Sequence, residues 1–134
     1  KFVIFAHHAT YDTLHQVATL GLTAAAMGKD VIVILLFWTI KKLAEGKIDQ
    51  IDFPPEYAAS AGEVTRLLKE KKVPKISEMF QDAKHVGKFR LIACSAGLEY
   101  MGVDSAVVEK NVDEVMGLPA IIALTSDAET KLFI

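Results

Sequence analysis

"FVIFAHHATYDTLHQVATLGLTAAAMGKDVIVILLFW" runs from Phe2 to Trp38, and its reading decides the fold. "FVIFA" is apolar without alternation, as a strand buried on both faces reads. "HHATYD" is a polar loop. From Thr13 to Met27 the pattern turns helical, with Leu14, Val17, Ala18, Leu22, Ala25 and Ala26 recurring at spacings of three and four. Gly28 stands where glycine caps a helix C-terminus. "DVIVILLFW" (Asp30–Trp38) is a second apolar run, rich in β-branched residues, and reads as a second buried strand. Strand, helix, strand in so short a span predicts a βαβ unit with a right-handed crossover.

The rest of the chain extends this unit. "IKKLAEGK" predicts a short helix closed by Gly46, and "IDQIDFPPEYAAS" a loop punctuated by Pro54 and Pro55. A helix is expected near Gly62–Lys72 with Val64, Leu67 and Leu68 on one face. Another follows Pro74, with Ile76, Met79, Phe80 and Ala83 as its apolar stripe. "FRLIA" (Phe89–Ala93) is the third strand, with Cys94 at its C-terminal end and "SAGLEYMG" opening a helix. "NVDEVMG" is a further strand candidate. "LPAIIALTSDAE" and "TKLFI" read as a helix and a final strand. The expectation is an α/β fold: one domain over residues 1–134, a three-layer sandwich around a mostly parallel five-stranded sheet.

Composition narrows the function. The 134 residues are 51% hydrophobic and 24% charged, enough to fill a core and stay dissolved. A formal net charge of −2 with no charged block argues against nucleic acid or an anionic membrane as partner. The longest apolar run, Val31–Trp38, is too short to span a bilayer. The opening "KFVIFA" carries no signal-peptide pattern, so a cytoplasmic location is the expectation. A single cysteine excludes an internal disulfide and any dithiol–disulfide cycle within one chain. A Gly-x-Gly-x-x-Gly fingerprint, a P-loop and a Gly-x-Ser-x-Gly elbow are all absent. No cofactor is implied.

In an open parallel sheet, ligands bind beyond the strand C-termini. Three segments converge there: "HHATYD", "FWT" and "CSAG". Cys94 is the candidate nucleophile, because the N–H groups and positive end of a helix start favour a thiolate. Ser95, Ala96 and Gly97 are small and leave room for an adduct. His7 or His8 could stabilise its charge, and Trp38 could wall the site. The competing reading makes Cys94 a small buried hydrophobe, His7 and His8 loop-packing residues, and Trp38 and Tyr11 plain walls. Asp12 is a plausible helix N-cap. Adjacent histidines diverge, and His15 and His85 lie far off in sequence, so no metal site is expected.

"TAAAMGKDVIVILLFW" (Thr23–Trp38), "ISEMFQDAKHVGKFRLIACSAGLEYMGV" (Ile76–Val103) and "DAETKLFI" (Asp127–Ile134) together resemble the DsrE/DsrF-like family of the DsrE/F/H superfamily. The likeness is to its small stand-alone archaeal and bacterial members. It implies a parallel five-stranded α/β sandwich and a homo- or hetero-oligomer. It also implies a sulfurtransferase-like carrier that accepts sulfane sulfur or a thiosulfonate group on Cys94. The partners it implies are TusA-like, rhodanese-like or heterodisulfide-reductase-like relay proteins and small sulfur compounds. Relatives often keep Phe-Thr-Phe/Trp-Gly after the second strand, where this chain has "LLFWTI", and some carry a second cysteine. Lacking that cysteine, this chain has no resolving thiol, and a partner must load and unload it. The same fold could instead serve as a non-catalytic interaction or regulatory subunit of such a relay, with Cys94 structural.

Overall fold

The apolar runs form the sheet. A computed structural model describes all of residues 1–134. Its strands are β1 (Phe2–Ala6), β2 (Asp30–Leu35), β3 (Lys88–Cys94), β4 (Glu114–Met116) and β5 (Thr130–Phe133). They lie in the order β4-β3-β2-β1-β5, and every pair is parallel. The sheet is therefore wholly parallel, where the sequence suggested mostly parallel. Val31 to Leu35 are buried to within 1% on both faces, which explains why β2 reads as an unbroken apolar run.

Helices cover both faces and complete the three-layer sandwich. On one face, α1 (Tyr11–Ala26) packs against α4 (Ile76–Val86). Ile76, Met79, Phe80 and Ala83, the stripe expected from spacing, are all buried, and Phe80 stacks on Phe89 of β3 at 5.7 Å. Side chains alternate along a strand, so Phe89, Leu91 and Ala93 face this layer while Ile92 and Cys94 face the other. On that second face α2 (Trp38–Ala44) packs against α5 (Ser95–Tyr100) and α6 (Ser105–Asn111). The α7 helix (Leu118–Thr125) precedes β5 and buries Ile121. The α3 helix (Ala58–Glu70) buries none of its residues fully. No helix is long and apolar enough to cross a membrane.

Several boundaries differ from the sequence reading, each for a local reason. The second strand stops at Leu35, not Trp38, because Thr39 folds the chain back. Its Oγ1 accepts from Leu36 N at 3.0 Å and lies 2.9 Å from the Ala6 carbonyl, to which it donates. Trp38 therefore opens α2 rather than closing β2. The helix expected near Gly62 starts at Ala58, directly after a 3₁₀ turn at Pro55–Tyr57. Asp12 does not cap α1. Thr10 holds the N-cap position, and Asp12 lies inside the first turn with a buried Oδ1 that has no partner. The cap is supplied from a distance: Tyr11 N donates to Asp52 Oδ1 at 2.8 Å.

Gly28 does close α1. Its N–H donates to Ala25 O and that of Lys29 to Ala24 O, both at 3.0 Å, the paired bonds of a Schellman turn. Its φ of +86° suits glycine. Gly28→Ala is expected to destabilise the fold by about 1 kcal/mol in urea denaturation, since a Cβ disfavours this backbone region.

Candidate functional site

The C-terminal rim of the sheet is fixed one residue past its strands. His7 N donates to Ile134 O at 2.9 Å, and Leu36 N donates to Ala6 O at 2.9 Å. These bonds prolong the parallel ladder and set the start of each loop. Beyond β1 come His7 and His8, whose rings meet edge to face at 4.3 Å. Beyond β2 come Leu36 and Phe37. Phe37 has φ 45° and ψ −109°, a sparsely populated backbone conformation for a residue with a side chain. Beyond β3 comes Cys94, which is both the last strand residue and the N-cap of α5.

These segments enclose a cavity of about 440 Å³. Cys94 lines it together with His7, His8, Trp38, Ala96 and Gly97, so six of the seven site residues read from the sequence come together. Ser95 is the correction. It is exposed, outside the cavity, with its Oγ on the Gly117 side of the chain: a Cβ placed on Gly117 would meet that atom at 3.7 Å. As the first residue of a helix that turns away, it shares the backbone of the site but not its wall. Leu36, Phe37, Tyr100 and Leu118 complete the lining. Sequence spacing gave no signal for Leu118, which arrives from α7.

Cys94 is only 3% exposed, and its side chain caps none of the α5 N–H groups. The helix that follows is six residues long, so its dipole is that of a short helix. Gly97 is what lets α5 approach α2 here. A Cβ at this position would sit 2.5 Å from Ile40 Cδ1 and 3.6 Å from the Phe37 nitrogen. The thiol therefore lies at the floor of the cavity, beneath a rim of Phe37, Trp38 and Tyr100, which are 50%, 55% and 72% exposed.

A second, larger cavity of about 600 Å³ shares His8 and Trp38 with the first and is lined mostly by polar and charged residues. Lys42 is buried beneath it. Its Nζ donates to Ala9 O at 2.7 Å, Gln50 O at 3.3 Å and Asp52 Oδ1 at 2.9 Å, which uses all three of its donors. Lys41 and Lys47 both pair with Glu45, at 3.9 and 3.4 Å. This groove holds no cysteine, and its buried lysine tethers the loop behind His8. Lys42 and Asp52 are the residues sequence reasoning missed; neither belongs to a local motif.

Tyr11 lies outside the Cys94 cavity and packs on His15 and Phe53, at ring distances of 5.6 and 6.1 Å. Burial, with the Asp49 charge adding, pushes its phenol up from the ordinary value and keeps it neutral. The His15 Nε2 is buried without a partner, and His85 Nδ1 lies 2.9 Å from Gln81 O. No three of His, Cys, Asp and Glu gather into a group that could hold a metal ion.

No protein-family model and no curated protein matches the chain. Solved structures do. The chain is similar to a conserved protein of unknown function, BT1422, from Bacteroides thetaiotaomicron, with 16% identity and a TM-score of 0.60, over 98% of this chain and 94% of that one. It is also similar to a protein of unknown function, MTH1491, from Methanobacterium thermoautotrophicum, with 14% identity and a TM-score of 0.52 over the whole of both chains. At these identities the likeness establishes a shared fold.

Proposed function

We propose that this chain is a sulfur carrier of the DsrE/DsrF-like type, holding sulfane sulfur or a thiosulfonate group on Cys94 and passing it to a second thiol. The observation that supports this best is the placement of the sole cysteine. It lines an apolar cavity at the strand C-termini, where parallel sheets bind ligands. The chemistry needs one nucleophile only, since sulfur exchange runs through a covalent adduct on a single thiol. A TusA-like, rhodanese-like or heterodisulfide-reductase-like partner would supply the second thiol, in the cytoplasm. The exposed apolar side chains around the rim, Phe37, Trp38, Tyr100 and Leu118, suit self-association.

Intact mass after exposure to polysulfide, thiosulfate, tetrathionate and an organic hydropersulfide tests the reading. A gain of sulfur that a reductant reverses is the expected result. A wild-type mass left unchanged by every donor would falsify it. The 3% exposure of Cys94 favours one alternative, a non-catalytic interaction or regulatory subunit with a structural cysteine. Native-state alkylation separates the two: a carrier thiol reacts in the folded protein, and a structural one reacts only after unfolding.

A further inference from the structure

We propose that the donor loading Cys94 is a small organic persulfide, R–S–SH, whose uncharged hydrocarbon group occupies the cavity. This rests on the carrier reading and adds the chemical class of the donor. Size is the first argument. About 440 Å³ falls within the range of small-molecule pockets and far exceeds what one sulfur atom fills. Wall chemistry is the second. Apart from His7 and His8 the wall around the thiol is aliphatic, aromatic or small, and neither Lys nor Arg lines the cavity. A sulfur oxyanion or a zwitterion brought here would lose water without gaining the permanent charge of a Lys or Arg, which is costly. The nearby lysines are already engaged: Lys42 by Asp52 and backbone carbonyls, Lys41 and Lys47 by Glu45. Access is the third. The thiol lies below the aromatic rim, within the reach of a free small molecule.

The step balances without an outside oxidant. The Cys94 thiol gives its proton to water, and the thiolate attacks the terminal sulfur of R–S–SH. The Sγ–S bond forms as the donor's S–S bond breaks. The electron pair leaves on R–S⁻, which takes up a proton, and the products are the Cys94 persulfide and R–SH.

The test is a mass-spectrometric time course on the full chain, with benzyl hydropersulfide, cysteine hydropersulfide and tetrathionate as probes. Each rate is normalised to that of a free model thiol. The expected result is a gain of one sulfur atom from the benzyl compound at least about tenfold faster than from the zwitterionic one, with no thiosulfonate adduct from tetrathionate. Leu118→Lys, at a half-exposed wall position, is expected to narrow that preference and admit tetrathionate. Equal normalised rates, or a preference for tetrathionate in the wild type, would overturn the donor class while leaving the carrier intact. Failure of all three probes, with the thiol still titratable after unfolding, would overturn the carrier reading itself.

Discussion

Cys94→Ser is expected to take up no sulfur from any donor, while the wild type gains it. The chain has no other cysteine, so no second thiol can substitute. The effect is all or nothing in mass, and the same variant separates covalent loading from sulfur merely trapped in the cavity. A mass gain retained by the variant would sink the assignment. Serine also places a hydroxyl at a position only 3% exposed among apolar walls, at a cost of about 1–3 kcal/mol if it finds no partner. Cys94→Ala is therefore the companion variant. It removes the sulfur without burying a hydroxyl, and it is expected to fold closer to wild type and to be equally inert.

Lys42→Met is expected to lower the unfolding free energy by about 3 kcal/mol, read from chemical denaturation followed by circular dichroism. Methionine keeps the length and apolar stem of lysine. It strands the carbonyls of Ala9 and Gln50 and leaves the Asp52 carboxylate without its cation. Removing one partner of a buried ion pair commonly costs about 3–5 kcal/mol. The lower figure applies because the Asp52 side chain is 37% exposed and water compensates part of its loss. The damage should reach the site as well. Asp52 also accepts from Tyr11 N, and Ala9 directly follows His8, so sulfur loading should slow along with the loss of stability. A stability change below about 1 kcal/mol would show that the tether is dispensable. In Lys42→Met with Asp52→Asn, the two costs should combine to less than their sum.

The contrast between Lys42 and Cys94 shows what the sequence made legible. Cys94 was placed by period and topology: an apolar strand, then small residues, in a parallel sheet whose C-terminal rim is the ligand side. The strands β1 and β3, the α4 stripe and the Gly28 cap were likewise written in local pattern. The end of β2 was not, because "LLFW" stays apolar across a backbone reversal enforced by Thr39 reaching back to Ala6. The α1 cap was hidden because its acceptor, Asp52, lies 41 residues away. Ser95 shows the limit of adjacency. It follows Cys94 directly, yet helical geometry turns it out of the cavity, and Leu118 takes a place on the wall. Such long-range polar contacts leave no periodicity to read.

The placement of β1 between β2 and β5 bears on how the chain acquires its shape. Phe2 pairs with Thr130, and Lys1 Nζ reaches the Leu124 carbonyl across 123 residues of sequence. Loop-closure entropy must be met before that pairing is rewarded, so β5 is expected to dock late in folding, onto a layer already formed by the β1–β2–β3 units. Until then one side of β1 presents unpaired backbone groups, an open template for a neighbouring chain during synthesis. The same late event orders the His7 nitrogen against Ile134. A nascent chain would therefore finish the rim around Cys94 only as its sheet closes.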